Sequence, residues 1–374
     1  MNITRYIRKA VEADLKRKKM VFVGGPRQVG KTSLSLTFTK NKKQYLSWDD
    51  LEDRDIIKSH QVNSQLGLVV LDEVHKYTRW RTLVKALYDK YKDVLSIIVT
   101  GSARLDHFRK GGDSLFGRYH YYKLHPFSIS EVPESYSAKA LDRLLQFGGF
   151  PEPYLSQDPD FHRRWQRERI QRVVYQDLRD LDTVKDISKM ELLVNALPQR
   201  VGSLLSVRSL HEDLECSPNT VSRWLTVLEA IYYCYRISPM GAPQIRAIKH
   251  ANKVYLWDWS EVPEAGPRFE NLVASHLLKY CHYVEDTKGY KMELRYLKDT
   301  SHREIDFVVL KDKKPLFAVE CKTGDRALSP SIKYFRERTK IPHFYQVHLG
   351  QKDFGTNEGG RVLPFVTFCK ELGL

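Results

Sequence analysis

Gly25-Pro26-Arg27-Gln28-Val29-Gly30-Lys31-Thr32 satisfies the spacing GxxxxGK[ST]. Residues of these types at this spacing bind phosphate for physical reasons. Glycines let backbone N–H groups close around a β-phosphate, and a helix that starts there presents the positive end of its dipole to the anion. Lys31 can reach the β- and γ-phosphates. The Thr32 hydroxyl is a Mg²⁺ ligand, and Ser33 carries the nucleotide-contacting stretch into the helix. The flanking pattern is the one this chemistry requires: an apolar run, Met20-Val21-Phe22-Val23, and then a helical segment.

A second set of residues supplies what a phosphate loop lacks. Leu68-Val69-Val70-Leu71-Asp72-Glu73 is a buried-strand run that ends in two carboxylates. Asp72 can hold Mg²⁺, directly or through water. Glu73 can orient or deprotonate an attacking water. A third apolar run, Ile97-Ile98-Val99-Thr100, leads into Gly101-Ser102-Ala103-Arg104. Ser102 sits where a polar side chain can sense a γ-phosphate. Arg104 and Arg118 are candidates for a charge-stabilising arginine, in cis or in trans. For each taken singly, a surface arginine in a loop is an equal alternative.

A separate acidic constellation lies near the C-terminus. Asp306 falls on one apolar-rich strand, and Glu320 and Lys322 fall two apart on the next, so both project from one face. Lys311-Asp312-Lys313-Lys314-Pro315 makes these strands a hairpin, which brings Asp306 near the other two. Glu270 lies on the helix upstream, and Glu304 shares a strand face with Asp306. Carboxylates so grouped can bind one or two Mg²⁺, which would stabilise charge on a scissile phosphate and generate hydroxide. Lys322 can position that water. The order helix, three strands, helix, strand, with D-x13-E-x-K across the hairpin, resembles the PD-(D/E)xK nuclease core. A salt-bridged hairpin face is the alternative.

Between these regions, Ser206 and Ser217 can each cap a short helix, and Pro218 suits the first position of the second. Val221, Trp224, Leu225, Leu228 and Ile231 then form one apolar stripe at helical spacing. Asn219, Ser222, Arg223 and Thr226 lie mostly on the other face. Two helices and a tight turn fit a helix-turn-helix, in which Asn219, Ser222 and Arg223 would face DNA. Many such units only pack against neighbours. The denser run Arg163, Arg164, Arg167, Arg169 and Arg172 is either a basic helix along nucleic acid or a solvated one.

These groups must be positioned by folded domains. The chain has 374 residues, of which 42% are hydrophobic and 29% charged, which excludes a disordered or collagen-like chain. Alternating strands and helices over 1–155 predict a parallel sheet with helices on its faces. Met20–Gly24, Gln44–Trp48, Gly67–Leu71 and Val94–Thr100 read as strands. Thr32–Thr39, Arg81–Tyr91 and Ala138–Phe147 read as helices. Tyr119-His120-Tyr121-Tyr122 reads as a strand with aromatics on both faces. The Arg-rich helix is expected over Phe161–Leu181, with further short helices to about 255. From 256 to 374 the helix over 268–280 comes first. It carries His276 in its apolar stripe as a satisfied core histidine. Strands Met292–Lys298, Arg303–Leu310 and Leu316–Lys322 follow, then a helix opening at Ser329-Pro330 and a strand over Pro342–Leu349.

Lys and Arg number 61 against 46 Asp and Glu, a net charge of +15 that suits an acidic partner, most often nucleic acid, with an anionic membrane surface the alternative on charge alone. Five cysteines at wide spacing, without CxxC, fit reduced thiols rather than a disulfide framework or zinc ribbon. No stretch reaches the ~18 apolar residues of a membrane span. The N-terminal residues lack the apolar core of a signal peptide. The expectation is a cytoplasmic protein with no membrane segment.

The strings GGPRQVGKT, VVLDEVHK, IIVTGSAR, LFGRYHYYKLHPFSISE and FGGFPEP, in that order, resemble bacterial and archaeal AAA+-type ATPases that carry a C-terminal DUF4143 region. The resemblance spans most of the chain. It implies ATP rather than GTP, and the lack of a guanine-reading NKxD string agrees. It also implies a P-loop NTPase sheet, a winged-helix-like middle and a nuclease-like C-terminal domain, in a family where active sites can be shared between subunits of a homo-oligomer. The expected function is ATP hydrolysis coupled to a Mg²⁺-dependent endonuclease or remodelling activity on DNA. The alternative is an ATP-driven switch or platform whose C-terminal domain is catalytically dead and only binds DNA or a protein. RNA as the partner is a third reading.

Overall fold

The computed structural model of the chain describes residues 3–17, 20–101, 115, 117–177, 186–241 and 251–373. These fall into two compact units, 1–126 and 127–374. The break lies earlier than 155, because residues 127–155 pack within the second unit. For example, the indole N–H of Trp259 donates to Leu144 O at 2.6 Å.

The first unit is built on strands β1 (Met20–Gly24), β2 (Tyr45–Ser47), β3 (Leu68–Asp72), β4 (Ser96–Gly101) and β5 (Tyr119–Lys123). All pair in parallel, in the order β2-β3-β4-β1-β5. The near-continuous apolar runs follow from burial on both faces. Met20, Phe22, Val69, Leu71, Ile97 and Val99 pack with Trp80, Leu83, Val84 and Leu87 of the helix Trp80–Tyr91. The alternate residues Val21, Val23, Val70, Ile98 and Tyr122 pack with Ile7, Val11 and Leu34. The helix Lys31–Leu36 is shorter than expected, because Thr37, Phe38 and Thr39 turn to carbonyls only three residues back.

In the second unit the helices Ala138–Phe147, Pro151–Ser156 and Pro159–Arg172 come first, then Ile187–Ala196, Val207–Asp213 and Pro218–Ala230. The Arg-rich helix ends at Arg172 and passes into a wider turn over Val173–Asp177; residues 178–185 lie outside those described. Arg169 is buried rather than solvated. It pairs with Glu261 and lies over the rings of Phe150 and Tyr233.

An eight-stranded sheet follows: β6 (Cys234–Pro239), β7 (Lys253–Leu256), β8 (Met292–Lys298), β9 (Glu304–Lys311), β10 (Lys314–Lys322), β11 (Phe344–His348), β12 (Phe354–Thr356) and β13 (Gly360–Pro364). Its order is β12-β13-β11-β10-β9-β8-β6-β7. The hairpin β6-β7 comes from the middle of the chain and joins the C-terminal sheet through Ser238↔Arg295 and Pro239↔Tyr296. Successive residues of β10 serve opposite faces. Phe317 meets Tyr280 of the helix Ala265–Lys288 and Phe368 of the helix Phe365–Leu372. Ala318 packs with Ile332 and Phe335 of the helix Pro330–Arg338.

His276 is the satisfied core histidine the sequence suggests. Its Nδ1 bonds Leu272 O at 2.8 Å, and Nε2 accepts from Ile129 N at 3.1 Å. Among the described residues no helix is long and apolar enough to cross a membrane, and all five cysteines are free thiols.

Candidate functional site

β1 delivers the chain to the phosphate loop at Gly24, where a Cβ would lie 1.6 Å from the Tyr121 hydroxyl; only glycine fits. Gly30 then turns the chain into the helix at φ 93°, a left-handed conformation that glycine adopts without penalty. Gly25, Pro26 and Val29 are buried, Arg27 and Gln28 half-buried, and Thr32 and Ser33 exposed at the start of the helix. Lys31 folds back over the loop, and its buried ammonium donates to Gly25 O at 3.0 Å and Pro26 O at 2.7 Å. Arg5 braces the far side of the loop by donating to Val29 O at 2.7 Å and to His125 O. Arg5 has no motif around it, so only the fold reveals its part.

Asp72 ends β3 beside this loop. Thr32 Oγ1 donates to Asp72 Oδ2 at 3.2 Å, the Tyr45 hydroxyl donates to the same oxygen, and the buried Thr100 hydroxyl donates to Oδ1. Tyr45 and Thr100 escape a motif search because each is an ordinary strand residue in sequence. A hydroxyl and a carboxylate placed side by side are the oxygen donors Mg²⁺ prefers, so Thr32 and Asp72 fit that ion. Glu73 follows at φ 55°, a left-handed conformation uncommon outside glycine, and its N–H is held by Thr100 O at 3.0 Å. Burial pushes the Glu73 carboxyl above the usual range; Lys31 opposes the shift and Asp72 adds to it.

The candidate arginines divide. Ser102 and Arg104 lie outside the described residues. Arg118 precedes β5, and Tyr119 pairs with Met20 at the end of the sheet opposite the loop, about 15 Å away at ~3.3 Å per residue. There Arg118 Nε donates to Asp89 Oδ1 at 3.1 Å. The structure therefore does not bring Arg118 to the phosphate loop of its own chain.

The C-terminal carboxylates do come together, but around a side chain the sequence reading missed. Lys253 of β7 puts its ammonium 3.3 Å from Glu270 Oε1 and 3.7 Å from Asp306 Oδ1, and in contact with Glu304. The Lys253 side chain is 2% exposed. Burial opposes its charge, yet Glu270, Asp306 and Glu304 together hold its pKa above the ordinary lysine range. The Tyr255 hydroxyl donates to Glu270 Oε1 at 2.7 Å, Cys321 N to Asp306 Oδ2 at 2.8 Å, and Lys298 Nζ to Glu304 Oε2 at 2.5 Å. Lys322 Nζ bonds Glu320 Oε1 at 2.7 Å, as their spacing predicts. Glu320 Oε2 is buried without a hydrogen-bond partner among the described residues. Burial, then the nearby Asp306 charge, pushes Glu320 up to about 8.

Of the expected metal set, Glu270 and Asp306 face Lys253, and Glu320 pairs with Lys322. Among the described residues no group of three His, Cys, Asp or Glu side chains is placed to hold a metal ion. An ammonium, that of Lys253, stands among these carboxylates. Lys253 lies 17 residues before Glu270 and outside the D-x13-E-x-K spacing, so no local signal marks it.

In the middle region Ser206 and Ser217 cap their helices, accepting from Ser209 N and Thr220 N. Val221, Trp224, Leu225, Leu228 and Ile231 are buried. Asn219 and Arg223 are exposed and Ser222 half-buried on the same helix.

Comparisons with known proteins divide the chain into consecutive stretches. Residues 17–133 match an AAA domain, 138–262 a domain of unknown function (DUF8612), and 265–368 another (DUF4143). Most of the first unit lies in the stretch that matches the AAA domain. An uncharacterized protein of Mycobacterium tuberculosis is 24% identical over 65% of this chain and 55% of its own length. An uncharacterized protein of Methanocaldococcus jannaschii is 22% identical over 92% of this chain and 84% of its own. The chain therefore spans about half the length of the mycobacterial relative. Among solved structures, a Walker-type ATPase of Pyrococcus abyssi aligns at TM-score 0.43 and 15% identity, covering 71% of this chain and 96% of that one. The Aeropyrum pernix ORC1 protein in complex with DNA aligns at 0.34 and 12%, covering 73% and 94%.

Proposed function

We propose that this chain is a Mg²⁺-dependent ATPase whose nucleotide state governs its hold on DNA. One observation carries the ATPase reading: the Thr32 hydroxyl and the Asp72 carboxylate meet at 3.2 Å under a loop capped by Lys31. Lys31 exchanges the carbonyls of Gly25 and Pro26 for the β- and γ-phosphates. Thr32 and Asp72 hold Mg²⁺, which neutralises charge on the phosphates when bound. Glu73 orients the attacking water and takes its proton. In this reading Arg118 acts on the loop of a second copy rather than its own.

DNA is the partner this reading assigns. The net charge of +15 supports it, as does a winged-helix reading of the middle region. That reading rests on the order helix Ile187–Ala196, bridge residues Val201 and Leu204, two capped helices, and the hairpin β6-β7. Asn219, Ser222 and Arg223 then face the groove. The test is fluorescence anisotropy of labelled duplex DNA with no nucleotide, ADP or a non-hydrolysable ATP analogue. The reading predicts nucleotide-dependent affinity. Equal, negligible binding in all three states at moderate salt would defeat it.

A second reading keeps the nuclease. Asp306, Glu320 and Lys322 stand on adjacent strands, and Glu320 Oε2 has no hydrogen-bond partner among the described residues. It predicts DNA cleavage with Mg²⁺ or Mn²⁺ that Glu320→Ala abolishes.

A further inference from the structure

We propose that Lys253 is a built-in cation that takes the place of a divalent metal in the C-terminal carboxylate cluster, so that this domain works without metal and does not cut DNA. The inference goes beyond the ATPase reading and is independent of it.

An ammonium carries three N–H donors. Lys253 faces three carboxylates, Glu270, Glu304 and Asp306. The remaining coordination sites are largely occupied from within the chain. Glu270 Oε1 also accepts from Tyr255, and a Cβ on Gly202 would lie 3.0 Å from both oxygens of that carboxylate. Asp306 Oδ2 is held by the Cys321 N–H and Glu304 Oε2 by Lys298. A Mg²⁺ ion bonds oxygen at ~2.0–2.1 Å, so an ion on the oxygens that face Lys253 would sit within about 6 Å of Nζ, charge against charge. Lys253 is held where it is: it is buried, with its ammonium near the Tyr296 ring, and its backbone pairs with Ile237.

The cation is supplied by a different part of the chain from the acids. Lys253 belongs to the stretch that matches DUF8612, whereas Glu270, Glu304, Asp306 and Glu320 belong to the stretch that matches DUF4143. The joining of β6 to β8 seats the lysine-bearing hairpin on the acid-bearing sheet.

The test is a Mn²⁺ titration of the nucleotide-free full-length chain, followed by the electron paramagnetic resonance signal of free Mn²⁺. Wild type and Asp306→Asn should give the same binding curve. Lys253→Met should gain one Mn²⁺ per chain, at least tenfold tighter than any wild-type site, and Lys253→Met/Asp306→Asn should lose it. A wild-type site that Asp306→Asn removes would overturn the inference, as would a folded Lys253→Met that gains no ion. Should Lys253→Met fail to fold, wild type against Asp306→Asn still decides. Cleavage by wild type in Mn²⁺ that Glu320→Ala abolishes would also overturn it. Loss of ATP hydrolysis would not, since neither protein in that comparison depends on nucleotide.

Discussion

Thr32 Oγ1 lies 3.2 Å from Asp72 Oδ2, although 40 positions separate the two residues in the chain. β1 and β3 do not pair with each other; β4 runs between them. The contact exists because the helix after β1 leaves the same end of the sheet at which β3 delivers Asp72. That juxtaposition turns two strings of sequence into one candidate nucleotide site.

Glu73→Gln should separate binding from hydrolysis. The amide cannot accept the proton of an attacking water, and general-base contributions run at ~10²–10⁴-fold. Steady-state ATP turnover should fall by that order while ATP affinity, read by equilibrium dialysis, stays within a few-fold. Hydrolysis at the wild-type rate would remove Glu73 from the proposed chemistry.

Tyr45 acts through Asp72, whose Oδ2 it shares with Thr32. Tyr45→Phe removes one hydrogen bond to a carboxylate, worth about 1.5–3 kcal/mol. The Mg²⁺ concentration for half-maximal hydrolysis should rise several-fold and the melting temperature should drop. An unchanged Mg²⁺ dependence would show that Thr32 and Thr100 alone fix Asp72.

His276 gives the second unit a pH signature. Burial lowers its pKa to about 3, while an unfolded histidine titrates near 6.5. Below pH 6.5 the unfolded chain takes up a proton the native core refuses. This contribution is therefore present above pH 6.5 and is lost as pH falls toward 3, at about 1.4 kcal/mol per unit. Denaturant unfolding between pH 7 and 5 should show this slope in wild type and a shallower one in His276→Gln. Equal slopes would mean that the native ring takes up its proton as readily as the unfolded chain does.

Much of this was legible before folding. The strand Met292–Lys298 and the helix Ala138–Phe147 are legible in the sequence to the residue, because strong periodicity and clear caps or turns bound them. The phosphate loop and Asp72-Glu73 were legible because their chemistry demands contiguous residues. Tyr45, Thr100, Arg5 and Lys253 were not. Each is locally unremarkable, Arg5 in the segment before the first helix and the others in strands, and each acquires its role only from a long-range neighbour. Lys253 shows the limit most sharply. D-x13-E-x-K places the acids on two paired strands, yet the spacing carries no information about a cation arriving from another hairpin. Whether Arg118 reaches a loop in cis or in trans is not legible either, because one-dimensional order does not say at which end of a strand a residue falls.

Arg223 tests the DNA reading. It is exposed on the helix Pro218–Ala230, opposite the buried stripe. If it meets a phosphate, Arg223→Ala should weaken duplex binding about uniformly across sequences and reduce the slope of log K against log salt by about 1. Arg223→Glu should weaken it further. Unchanged affinity and slope for both would assign this helix to packing alone.

The central claim is tested most directly by ATP hydrolysis of the purified full-length chain, measured as phosphate release with Mg²⁺, with EDTA, and in Lys31→Ala. The account predicts turnover with Mg²⁺ that EDTA abolishes and that Lys31→Ala lowers by at least a hundredfold, while the circular dichroism of the variant matches wild type. Turnover that survives in a folded Lys31→Ala, or no turnover in wild type with Mg²⁺ and DNA present, would contradict it.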